Sequence, residues 1–157
     1  MKKFYVIFFI FTITFIPSIT FGNVIDKLNE TGKFTKLNET LMKSGLSENL
    51  KDEGPFTVFA PLDDAFAAIS AKTYYGLLRE ENKDKLVNIL GRHVFLKKIN
   101  SSEIDGEIKL KAINGEEITI KKVNGIVYIN EAEVVTADVE TSNGVIHFIN
   151  RVLQPLN

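Results

Sequence analysis

The sequence predicts an α+β fold, and three observations carry that expectation. Apolar residues recur at helical spacing from residue 23 to about residue 90. From Glu107 onward the apolar period becomes two. Asn114-Gly115 and Asn124-Gly125 fall between the alternating runs, and Asn-Gly is the favoured two-residue hairpin turn. Helices first and strands after imply a mostly antiparallel sheet with helices packed on it.

The first segment to justify is MKKFYVIFFIFTITFIPSITFG. Lys2 and Lys3 give a basic start, and Phe4 to Ile16 is an apolar run of 13 residues ended by Pro17. That is short of the ~20 a spanning helix needs. Thr20 and Gly22 put small residues at the −3 and −1 positions of a cleavage site. Residues 1–22 are therefore expected to be a secretory signal peptide, with residues 23–157 a single domain. An uncleaved N-terminal anchor is the alternative.

Residues 23–51 read as helical, with Val24, Ile25 and Leu28 on one face and Phe34, Leu37 and Leu41 repeating the spacing. Gly45 is the expected helix stop, and Ser47 the cap of a short turn ending near Lys51. Asp52-Glu53-Gly54-Pro55 is a loop. It leads into TVFAPLDDAF, residues 57–66, where the strand-like Val58-Phe59-Ala60 stops at Pro61. Thr73–Arg79 and Glu81–Leu90 follow as helices, with Leu86, Val87 and Leu90 inward and Gly91 as the stop. Ser101-Ser102-Glu103-Ile104 is a brief capped turn. Strands are expected at 107–113, 116–123, 126–130, 133–139 and 145–153.

Composition narrows the function. The chain contains no cysteine, which excludes thiol catalysis, Cys-ligated zinc and a lipidated cysteine. Losing Lys2 and Lys3 with the leader takes Lys+Arg from 19 to 17 against 20 Asp+Glu, a net charge of −3 over 135 residues. The pairs Lys97-Lys98 and Lys121-Lys122 are isolated and lack interleaved aromatics, so nucleic acid is not an expected partner. A chain of that length can hold itself by packing alone.

Paired carboxylates and histidines are the candidate chemistry. Asp63 and Asp64 precede Ala65-Phe66, and an Asp there is a good N-cap for the short helix it begins. An acid/base pair or half a metal site would need further ligands or a nucleophile, and none is adjacent. His93 and His147 could serve a hydrolase with an acidic partner, but no GxSxG or HExxH pattern accompanies them. Both are read as buried, hydrogen-bonded structural imidazoles, and no catalytic, cofactor-binding or metal-binding residue is expected. A strand at 145–153 puts Val145, His147 and Ile149 on one face and Ile146 and Phe148 on the other. Both faces are apolar, so the strand is expected to be central and His147 neutral, with Thr57 or backbone groups near it as partners. Three sequons also occur, at Asn29, Asn38 and Asn100.

Together these motifs resemble the fasciclin (FAS1) domain family. TVFAPLDDAF is similar to its first signature and NGVIHFINRVLQP, residues 143–155, to its second. LVNILGRHVF, residues 86–95, resembles the central helix and its histidine, and VYINEAEVVTADVETSNGVIHF fits the family in order and spacing. The resemblance covers roughly 23 to 156 and is of the single-domain secreted bacterial type. It implies a FAS1 fold, an antiparallel β-wedge or sandwich with several helices around it, and the two signatures together in the core. Thr57, Pro61, Asp63, Phe66 and His147 are then structural motif residues, and Asp63 and Asp64 start a helix.

The resemblance further implies a non-enzymatic adhesion or matrix-interaction module without cofactors. In animal members integrin contact is attributed to a Tyr-His pair and an Asp-hydrophobic element. Arg92 stands at the Tyr position here, leaving His93, and Asp138-Val139 is the Asp-hydrophobic element, so Arg92, His93, Asp138 and Val139 are the candidate adhesion contacts. The expectation is a secreted monomer, in the periplasm, at the cell surface or outside, that binds a surface or matrix protein or glycan. It meets the membrane only through its leader during export. The alternative is a carrier of a lipid or other apolar small molecule in a cleft between helices and wedge.

Overall fold

The computed structural model describes residues 21–154. The basic start, the apolar run Phe4–Ile16 and Thr20 of the expected leader lie outside the described residues. Helices α1 (Val24–Thr31), α2 (Thr35–Ser44) and α3 (Leu46–Asn49) come first. Strand β1 (Phe56–Pro61) follows, then a 3-10 turn at Asp63–Ala68 and helices α4 (Ala71–Leu77) and α5 (Lys83–Gly91). A 3-10 turn at Glu80–Asn82 precedes α5, and strand β2 (Val94–Phe95) and a third 3-10 turn at Ser101–Glu103 lead to β3 (Glu107–Lys111) and β4 (Glu117–Val123). Strands β5 (Ile126–Ile129), β6 (Ala132–Thr141) and β7 (Gly144–Ile149) follow as the last described elements.

Local chemistry sets the ends of these elements. Asn23 and Asp26 cap α1 reciprocally, each side chain accepting from the other's amide at 3.0 Å. Gly45, at φ +82°, ends α2 in the left-handed conformation that glycine adopts without strain. Ser47 is not a cap: it is buried within α3, and Ser44 Oγ accepts from the Leu46 amide at 3.3 Å instead. Gly91 is the last residue of α5 but not a left-handed stop. A Cβ there would lie 2.8 Å from Cβ of Asn114, so a close approach requires the glycine. Asn124 and Gly125 both have positive φ, as the tight hairpin between β4 and β5 demands.

One seven-stranded sheet runs in the order β2-β1-β7-β6-β5-β4-β3. Five neighbouring pairs are antiparallel and one, β1 with β7, is parallel. Every residue of β1 and β7 is buried, as two-sided apolar strands require. Gly144 pairs with Phe56, and a Cβ on it would lie 2.0 Å from the Phe56 carbonyl oxygen, so the strands meet there only through glycine.

The sheet closes on itself as a wedge. Strand β6 shifts register between Val134 and Thr136 and again before Val139, with Asp138 at φ +61°, and bulges of this kind bend a strand. Phe59 and Ile149 then share a core with Ile118, Ile120, Val127 and Ile129 of β4 and β5. The two sheet edges meet where the Ile113 amide donates to the Val94 carbonyl at 3.0 Å. On the opposite face Val58, Ala60, Ile146 and Phe148 pack beneath the helices, against residues such as Leu28, Leu37 and Leu90. Phe34 meets Phe148 edge-on at 4.8 Å. Each buried Val, Leu, Ile or Phe among them contributes about 1.5–3 kcal/mol of transfer free energy. The expected strand 145–153 ends at Ile149: Asn150 still bonds to Glu133 of β6, but the Leu153 amide and the Gln154 carbonyl turn to His93 and Arg92.

Candidate functional site

The parallel pairing of β1 and β7 brings the two signature-like segments side by side. It sets Phe59 opposite His147, with the rings stacked at 5.0 Å and 27°. His147 is 1 % exposed. Its Nε2–H donates to the Ile99 carbonyl at 2.8 Å, and its Nδ1 accepts from the Asp138 amide at 3.2 Å. That pattern needs the neutral ring with the proton on Nε2. Burial pushes the imidazole pKa below its ordinary value, against the opposing pull of the Ile99 bond and the Asp138 and Glu140 carboxylates. Thr57 is not a partner of this ring. Its hydroxyl donates to the Lys97 carbonyl and accepts from the Ile99 amide at 2.9 Å, so Thr57 and His147 hold the two polar groups of one residue.

The second histidine follows the same logic. His93 Nδ1–H donates to the Ile89 carbonyl and Nε2 accepts from the Leu153 amide, both at 2.9 Å. Burial drives its pKa down to about 4, with the Arg92 cation adding to the shift. Arg92 is 4 % exposed, pairs with Glu116 and donates to the Gln154 carbonyl at 2.6 Å. Neither residue of the expected adhesion pair is presented at the surface. Both latch residues 153 and 154 onto the end of α5.

Asp63 acts as a cap, but for a different helix from the one expected. Its two carboxylate oxygens accept from the amides of Thr35 at 3.2 Å and Lys36 at 2.9 Å, the first turn of α2. The 3-10 turn that Asp63 begins has Leu62 at its cap position, without a side-chain bond. Pro61 and Phe66 are buried, with Phe66 edge-on to Tyr74 at 5.8 Å, while Asp64 is exposed. Asp138 plays a similar role across the wedge. Its carboxylate accepts from the Ser101 amide at 2.7 Å and from the Ser101 hydroxyl. Partial burial raises its pKa, but the Ser101 bonds outweigh this and hold the carboxyl below its ordinary value. Asp138 is exposed; Val139 is half-buried against the helical core.

The two histidines are tied into the frame of the fold. All four imidazole nitrogens are engaged with backbone groups, and Ser101 bonds a carboxylate instead of a histidine. Among the described residues no group of three or more His, Asp or Glu could hold a metal ion. Asn143 is a connector that the sequence reading missed. Its side chain accepts from the Val24 amide and donates to the Leu50 and Asp52 carbonyls at 2.8–2.9 Å, and an Asn beginning an Asn-Gly turn is the only local signal of it. A cleft of about 190 Å³ opens among the 3-10 turn, α4, α5 and the C-terminal segment, walled by Phe66, Ile69, Leu77, Leu86, Ile89 and Val152. That volume is below the roughly 300–1,000 Å³ of sites for drug-sized ligands, so a whole lipid does not fit within it.

Comparison with known proteins matches this geometry to others. A family model described as the fasciclin domain matches residues 32–155. Protein sll1483 of Synechocystis sp. is 48 % identical over 128 residues, covering 81 % of this chain and 69 % of that protein. Transforming growth factor-beta-induced protein ig-h3 of Sus scrofa is 37 % identical over 134 residues, 85 % of this chain but 19 % of its own length. Among solved structures, the FAS1 domain pair from the insect cell adhesion molecule fasciclin I aligns with a TM-score of 0.76 at 20 % identity. That alignment covers 87 % of this chain and 52 % of the other. The chain thus spans about two thirds of the first relative, a fifth of the second and half of the solved chain.

Proposed function

The chain belongs to the fasciclin domain family, and from that premise we propose that it is a non-catalytic interaction module acting outside the cytoplasm, which binds a surface or matrix protein or a glycan. The observation that supports this reading is how the polar motif residues are used. His93, His147 and Asp63 bond to backbone groups within the fold, and Asp138 to the backbone and hydroxyl of Ser101. What remains for function is the outer surface, as in a module that recognises a partner by shape. The basic start, short apolar run and small residues at Thr20 and Gly22 support export.

The test is direct binding. The purified full chain, immobilised, is exposed to a glycan array and to separated envelope proteins, and hits are titrated by interferometry. Saturable binding competed by the soluble chain supports the reading. Turnover on ester or glycoside panels that vanishes in His93→Ala and His147→Ala variants would replace it with a hydrolase. A second reading, a carrier for an apolar small molecule, is favoured by one observation: the apolar cleft beside His93.

A further inference from the structure

The cleft beside α4 and α5 differs from an ordinary packing defect in size and in lining. Protein interiors hold few voids larger than one water. Here about 190 Å³ lies open among residues contributed by α2, the first 3-10 turn, α4, α5 and the C-terminal segment. The walls are apolar, and Ile69, Leu77, Ile89 and Val152 stay only half-buried around it. An engineered apolar cavity of ~150 Å³ is enough to bind benzene. The space therefore suits one six-membered ring or a short aliphatic chain.

The polar groups on the lining choose the other end of the ligand. Tyr74 is already bonded to Glu39 at 2.6 Å, and Thr40 to the Leu37 carbonyl at 2.7 Å. His93 has both nitrogens engaged and is neutral at pH 7. The one formal charge among the lining side chains is that of Lys85, which is exposed and makes no ion pair among the described residues. Its long aliphatic stem can lie along the apolar rim with the ammonium in water.

We propose that this cleft binds a small organic anion: a carboxylate carrying a single ring or a short apolar chain, with its apolar part among Phe66, Leu77 and Ile89 and its charge towards Lys85. This inference rests on the carrier reading and adds to it the class of ligand. Benzoate, benzyl alcohol and benzylamine are the probes, one apolar ring with three different heads. The purified full chain is titrated with each while backbone amide NMR shifts are followed.

Benzoate should give saturable shifts centred on Phe66, Leu77, Ile89 and Val152, with benzyl alcohol weaker and benzylamine weakest. Lys85→Gln should weaken benzoate about two- to fivefold, the range of one exposed ion pair, and leave benzyl alcohol unchanged. Leu77→Phe should fill the space and remove binding while native shift dispersion persists, and Ile69→Phe is an independent second blocker. Equal binding of all three probes, unaffected by Lys85→Gln, would overturn the anionic class and leave the carrier reading standing. No saturable shift with any probe, or shifts that map away from the cleft, would remove both.

Discussion

The carboxylate of Asp63 accepts from the backbone amide of Lys36 at 2.9 Å, across 27 residues of chain. Helix α2 has Phe34 at its own cap position, which offers no side-chain bond, so Asp63 supplies the missing acceptor from another element. The cap is therefore also a tertiary contact between the first signature and the helical layer.

Replacing Asp63 with Ala should cost about 0.5–2 kcal/mol, the range for a lost N-cap. Hydrogen exchange locates the effect. The amides of Thr35 and Lys36 should exchange faster, while the Ala65 amide, bonded to the Leu62 carbonyl at 2.8 Å, keeps its protection. Faster exchange at Ala65 alone would assign the cap to the 3-10 turn instead.

His147→Ala should destabilise the fold by about 3 kcal/mol. It orphans the Ile99 carbonyl and the Asp138 amide and leaves a gap beside Phe59. Urea unfolding measures the loss. A variant of unchanged stability that no longer binds its partner would move His147 from the frame of the fold to its site.

Acid should weaken the fold through both histidines. The unfolded imidazole titrates near 6.5 and burial lowers folded His93 to about 4, so between these values the unfolded state binds more protons. Stability present above pH 6.5 is thus lost as the pH falls to about 4, by about 3 kcal/mol for His93, and His147 adds in the same direction. Protonated Nε2 of His93 cannot accept from the Leu153 amide, so exchange at Leu153 should rise first. Urea midpoints at pH 7, 5.5 and 4.5 check the slope, and His93→Gln should flatten it. An unchanged slope would contradict the assignment.

Gly144→Ala should be more damaging than either polar substitution. The new methyl would lie 2.0 Å from the Phe56 oxygen, in the pair where the two signatures join, and the backbone cannot yield without breaking the β1–β7 ladder. A cost of about 3 kcal/mol or more is expected, read as a drop in Tm. Unaltered stability would mean that the strands separate there without penalty.

Much of this protein is local and was legible in the residues. Periodicity placed α1, α2, α5 and strands β3 to β6, because spacing along the chain reports directly which face is buried. The two Asn-Gly turns, the Gly45 stop and the central, two-sided burial of β7 follow from backbone preference and apolar pattern alone. The two-residue β2 was not legible, since two residues carry no period.

Only the tertiary structure decided which groups meet. It aligned β1 parallel to β7, sent Asp63 to α2 and not to its own turn, and gave His147 the backbone of Ile99 and Asp138 in place of Thr57. It also turned Arg92 and His93 inward onto residues 153 and 154, against the surface role that their positions suggested. The physical reason is common to all four. A hydrogen-bonding group is satisfied by whatever partner the packed chain brings within bonding distance, and sequence spacing carries no information about partners that only the packing brings together.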